Sequence, residues 1–199
     1  MSEQTQVVDS DVEDLAQSVA DQVESFLLAV REIASSGDAS RAVPLLLLEV
    51  SQLLLAGARL GVQVDFVPQE KYEPDAGPDP DLDRIRMELA KLLDGFDDYT
   101  EVFDPYIDPP DLVPSRVSDD VAAIAGRVAH GLQHFRAGRV DEALWWWQFS
   151  YVSSWGAEAS GALRALQSVV SHDRLDSDAD RTAEMERVAI AEALAERDE

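Results

Sequence analysis

The chain contains no cysteine, which excludes disulfides, thiolate zinc sites and cysteine nucleophiles. It is almost without lysine, Lys71 and Lys91 being the only two. Basic charge is scarce altogether: 16 Lys+Arg stand against 40 Asp+Glu, a formal net charge of −24 over 199 residues. Such a chain repels phosphate backbones and anionic lipid, which are bound chiefly through Lys and Arg. Direct nucleic-acid binding and membrane attachment are therefore not expected, whereas basic proteins and metal cations are favoured company. The first twelve residues are polar and acidic and lack the apolar core of a signal peptide. The longest greasy stretch, residues 45–60, reads as too short to span a bilayer and is interrupted by Glu49, Ser51, Gln52 and Arg59. A cytoplasmic location follows as the expectation. No glycine-rich phosphate loop or nucleophile motif is present, so nucleotide-loop and serine-nucleophile enzymes have no support.

What the chain does have is enough apolar material for a core. Hydrophobic residues make up 46%, a globular proportion, and the length suits one domain. Eight of the nine prolines lie between Pro68 and Pro114, so the flanks are free to form helices while the middle holds connectors. Val12, Ala16, Val19, Val23, Phe26, Val30 and Ile33 recur in steps of four and three, one apolar stripe of a helix that ends near Gly37. A second helix is predicted over 40–60, apolar around almost its whole circumference and hence central. A third carries Leu82, Ile85, Leu89, Leu92 and Phe96. Prolines 105, 109, 110 and 114 predict a stiff, extended connector over 104–116. Ser118, Asp119 and Asp120 supply cap candidates for a helix that Gly138 stops, and Asp141 opens the longest helix, reaching Ser171. The expected fold is all-α: a single-domain bundle of about five to seven helices with a Pro-rich central connector. Residues 1–10 are expected to be disordered, 11–171 to form the bundle, and 172–199 to make an acidic tail with at most a weak helix.

Several groups of residues carry chemistry. Asp94, Asp97, Asp98 and Glu101 would line one side of a helix and could hold a divalent ion such as magnesium or manganese, or supply an acid. In a chain with 40 acids such a cluster also arises by chance, and a solvated face is the simpler reading. Outside that alternative no cofactor is expected. His130 and His134 have the four-residue spacing that lets two imidazoles share a metal. No third ligand is near in sequence, and both point away from the Val121, Val128, Leu132 face, which favours a solvated or partner-facing pair. Trp145, Trp146 and Trp147 cannot all face inward: with Leu144, Trp147 and Tyr151 buried, Trp146 points nearly opposite and Trp145 and Phe149 fall off the stripe. Either neighbouring helices cover this half-helix on all sides, which is the simpler reading, or an aromatic surface is left for a partner, with Trp145, Trp146 and Phe149 as the interaction candidates. Ser150, Ser154, Ala157 and Gly161 form a small-residue stripe that predicts the close approach of another helix.

The ordered set of segments Phe103-Asp104-Pro105-Tyr106, Ser118-Asp119-Asp120-Val121, Gly138-Arg139-Val140-Asp141-Glu142-Ala143-Leu144 with the three tryptophans, Trp155-Gly156 and Ala162-Leu163-Arg164-Ala165-Leu166 resembles a bacterial family, domain of unknown function 5063, over about 12–171. The resemblance implies an all-helical bacterial protein without an established activity, and no catalytic residue is carried over from it. The reading that follows is a non-enzymatic helical interaction module with an acidic surface and a basic protein partner. The alternatives are a metal- or small-molecule-binding enzyme using the carboxylates of 94–104, and a nucleic-acid mimic that occupies a DNA-binding protein.

Overall fold

A computed structural model of the chain describes the backbone of residues 3–70, 73–78 and 80–195, and side chains over 11–70, 73–78 and 80–175. The elements run α1 (Glu3–Ser36), α2 (Ala39–Gly61), α3 (Asp83–Leu92), β1 (Asp98–Val102), β2 (Leu112–Arg116), α4 (Val117–Arg136) and α5 (Val140–Ser150). A π-helical turn over Tyr151–Trp155 then leads without a break into α6 (Gly156–Ala195). The described residues are all-α, as the periodicity predicts, apart from one small antiparallel hairpin.

The stripe of α1 is the seam of the core. Ala16, Val19, Val23, Phe26 and Val30 are all but inaccessible, and α1 packs against α2 and α4. Gly37, at φ +69°, makes the reversal into α2, a conformation a β-carbon disfavours. The helix begins inside the stretch expected to be disordered, since its backbone is helical from Glu3; residues 1 and 2 lie outside the described ones. At the other end α6 is helical through 172–195, where the sequence predicts an acidic tail with at most a weak helix, and residues 196–199 fall outside the description.

Helix α2 corrects the expectation of burial all round. Leu46, Val50, Leu53 and Leu60 are buried, but Leu45, Leu48 and Leu55 face solvent. Among the described residues it is the one helix long and apolar enough to cross a membrane, so its length does not exclude a span. Its buried face, however, is core, packed on α1 and α6.

The middle of the chain departs furthest from its sequence reading. Helix α3 stops at Leu92, Gly95 turns at φ +91°, and Phe96 is left exposed rather than continuing the stripe. The connector expected over 104–116 is half of a hairpin. Asp98 pairs with Arg116 and Val102 with Leu112, and Pro114 is tolerated because a two-stranded ribbon has only edges. The hairpin tip presents Phe103, Tyr106 and Ile107 to solvent.

The π turn has a geometric consequence. At about 100° per residue, Trp155 would lie roughly 80° around the helix from Trp147. The wider turn removes about that rotation, and both indoles are buried. The Tyr151 and Trp155 rings then lie over Gly57 of α2, where a β-carbon would collide with both.

Candidate functional site

The α4–α5 hairpin is closed by a Schellman turn. Gly138 sits at φ +76°, its N–H donates to Phe135 O at 2.9 Å, and Arg139 N–H donates to His134 O at 3.0 Å. The turn sets α5 antiparallel against α4, and two consecutive indoles fix the register. Trp146 Nε1 donates to Arg127 O at 2.8 Å and Trp147 Nε1 to Val128 O at 2.9 Å. Trp147 is fully buried over Gly131, where a β-carbon would strike its indole nitrogen.

From there an aromatic row runs outward. The Trp146 ring lies 4.4 Å from the His130 ring, and the Trp145 ring meets Trp146 edge-on at 6.1 Å. Trp145 stacks on Phe149 at 5.6 Å with the planes 11° apart. Of the three interaction candidates, Trp145 and Trp146 are half-buried, whereas Phe149 is 53% exposed. Val152, one turn further, is exposed as well. Gln148 is buried and well used: its carbonyl accepts from Phe66 N–H at 2.9 Å and its amide donates to Leu60 O at 3.0 Å. It thereby holds the segment after α2 against α5.

At the inner end of the row the histidine pair is not solvated. His134 is 0% exposed and His130 half-buried. Both send Nε2 to one oxygen of Glu73, His130 at 2.6 Å and His134 at 3.0 Å. Partial burial of Glu73 opposes ionisation, but the bonds from the two imidazoles outweigh it and hold the carboxyl below its ordinary range. Helical angle correctly turns the pair from the α4 core face; a different cover buries it. Residues 73–78 lie across the end of α4, where Gln133 Nε2 donates to Pro78 O and Arg139 to Asp75 O, each at 3.0 Å. Sequence reasoning missed Glu73 because it stands 57 residues before His130 in a proline-rich stretch. Glu73, His130 and His134 are the one group among the described residues with three ligand atoms close enough for a metal ion.

The acidic candidates do not share a helix face. Asp94 is exposed in the turn after α3. Asp97 is buried and caps α4, accepting Ser118 N–H at 2.8 Å and Ser118 Oγ–H at 2.7 Å. The helix is thus capped from a distant segment rather than by Ser118 itself. Asp98 is exposed and pairs with Arg116 at 2.8 Å. Glu101, on β1, turns toward the bundle and is half-buried. There the structure gathers Tyr99, Glu101 and Glu158 around Asp120, and the Tyr99 hydroxyl donates to Asp120 at 2.8 Å and to Glu101 at 3.4 Å. Arg127 binds Glu158 at 2.7 Å. Burial, with the charges of Glu101 and Glu158 adding to it and the Tyr99 bond opposing, pushes Asp120 up to about 7. A carboxyl there can gain or lose a proton near neutrality. Asp98 and Glu101 also border a groove of about 700 Å³ between the hairpin and α6. Of the small-residue stripe, Gly161 is met by this hairpin rather than by a helix, with Tyr99 and Glu101 over it.

The family described as domain of unknown function DUF5063 matches residues 10–172. Protein BF1032 from Bacteroides fragilis, known from its crystal structure, is similar with a TM-score of 0.61 at 19% identity, over 76% of this chain and 89% of that one. At that identity the likeness speaks for the fold alone. No curated protein matches the chain.

Proposed function

We propose, for a chain that belongs to the DUF5063 family, that it is a non-enzymatic interaction module whose Trp145–Phe149–Val152 stripe docks a basic cytoplasmic protein. The observation that carries this reading is the exposed Phe149 ring stacked on Trp145. Two flat rings held in register by a rigid helix form a preorganised anchor, and aromatic anchors dominate interface energetics. Hydrophobic surface alone does not choose a partner. The net charge of −24 does, by drawing in cationic proteins and turning away polyanions.

The experiment is a photo-crosslinking residue placed at position 149, with a control at the exposed Arg164, in the native bacterium. A basic protein captured at 149 and not at 164 is the expected result. Affinity of the purified pair then falls steeply with added salt and is lost in Phe149→Ala. Equal capture at both positions, or binding indifferent to salt and to Phe149→Ala, would refute the reading.

A further inference from the structure

We infer that Glu73, His130 and His134 form a binding site for one divalent first-row transition-metal ion, zinc or cobalt in class. This inference stands apart from partner docking, and either can fail without the other.

Three observations carry it. The first is convergence. His130 and His134 come from successive turns of α4, Glu73 from the strap across it, and both Nε2 atoms aim at the same carboxylate oxygen at 2.6 and 3.0 Å. One ligand atom from each residue lies within 4.8 Å of the others. Zinc bonds of about 2.0–2.2 Å place tetrahedral ligands roughly 3.4 Å apart. An adjustment of about an ångström therefore admits an ion where the shared hydrogen bonds now meet.

The second is that the polar contact of buried His134 lies wholly on the side of the cluster, through Nε2. The imidazole is fully buried, yet its Nδ1 has no hydrogen-bond partner. An orphaned buried nitrogen is a penalty that an apolar side chain would avoid. Its neighbour His130 is held in place by the Trp146 ring at 4.4 Å, so the pair is preorganised.

The third is the donor set. Two imidazoles and one carboxylate suit zinc, cobalt, nickel or iron, whereas magnesium and calcium prefer oxygen shells. Glu73 is the most accessible of the three side chains, which leaves an approach for the ion and a fourth position for water. Coordination through Nε2 shifts the His134 proton to Nδ1, where it finds no acceptor. The site is accordingly weaker than a zinc centre with a complete outer shell.

The test uses the full chain stripped with a chelator and titrated with zinc in a calorimeter, then with cobalt. One equivalent of zinc should bind, and cobalt should develop a visible ligand-field band and quench tryptophan emission through Trp146. Glu73→Gln and His130→Ala, both at accessible side chains, should each weaken binding at least tenfold with unchanged circular dichroism. Magnesium in excess should not displace the ion. No uptake of zinc by the wild-type chain would overturn the inference. So would uptake equally strong in both variants, which would assign the ion to surface carboxylates.

Discussion

Trp147 donates its indole N–H to the carbonyl of Val128 at 2.9 Å, and it reaches that carbonyl only because residue 131, one turn on, has no side chain. The ring lies against the Cα of Gly131 so closely that a β-carbon would overlap the indole nitrogen. Gly131→Ala should therefore separate α4 from α5 and lose about 1–3 kcal/mol. Urea unfolding followed by tryptophan emission measures this. A stability equal to wild type would mean that the hairpin has slack the contact does not suggest.

The cap on α4 yields a second expectation. Asp97 satisfies the Ser118 backbone N–H and hydroxyl from outside the helix, so Asp97→Ala should lose about 1–2 kcal/mol. Asp94→Ala, in an exposed turn, should stay within about 0.5 kcal/mol. Comparing the two by denaturation distinguishes a structural Asp97 from one of a set of equivalent surface acids; equal losses would contradict the capping role.

Asp120 predicts a pH dependence with a definite sign. Its carboxyl titrates near 7 in the folded chain, against an ordinary value of 3.8. Between about pH 4 and 7 the folded state keeps a proton that the unfolded chain has released, so stability falls as pH rises across that window. Glu101 and Glu158, raised mainly by burial, tilt it the same way. Asp120→Asn keeps an acceptor for the Tyr99 hydroxyl and carries no charge. Its stability should decline less than the wild type's between pH 5 and 8. Parallel melting-temperature curves would rule out the perturbed carboxyl.

Phe149 and Trp147 should part company under mutation. Phe149 is half out of the protein whereas Trp147 is sealed within it. Phe149→Ala should change stability by no more than about 0.5 kcal/mol while removing partner capture. Trp147→Ala should lose about 3–5 kcal/mol. A Phe149→Ala variant as unstable as Trp147→Ala would make the ring a structural element instead of a docking one.

The parts of this architecture that sequence reveals are those where neighbours along the chain are neighbours in space. The spacing from Val12 to Ile33 announces α1, and the glycine at 138 announces the turn that the structure builds there. Trp145 and Phe149 are separable from Trp147 by helical angle alone. Two of the misses share one cause, long-range cover. Nothing near His134 in the chain signals that residues 73–78 will close over it. Nothing near Asp97 signals that its carboxylate will cap α4. The hairpin is obscured differently: five-residue strands carrying Pro114 and alternating only between exposed and half-buried positions leave a weak period-two signal. In α2, leucine at successive positions hides which side is outward, since composition cannot rank Leu46 above Leu48.

The two short strands regulate acidity on a helix they do not belong to. By leaning on Gly161 and reaching Asp120 with a tyrosine hydroxyl, they help shut water away from a carboxylic acid. A methyl group at position 161 would push aside the Glu101 carboxylate and the Tyr99 hydroxyl that meet the helix there, two of the groups on which the strength of that acid depends. The bareness of one glycine thus leaves room for two groups that act on the proton affinity of a residue 41 positions earlier in the chain.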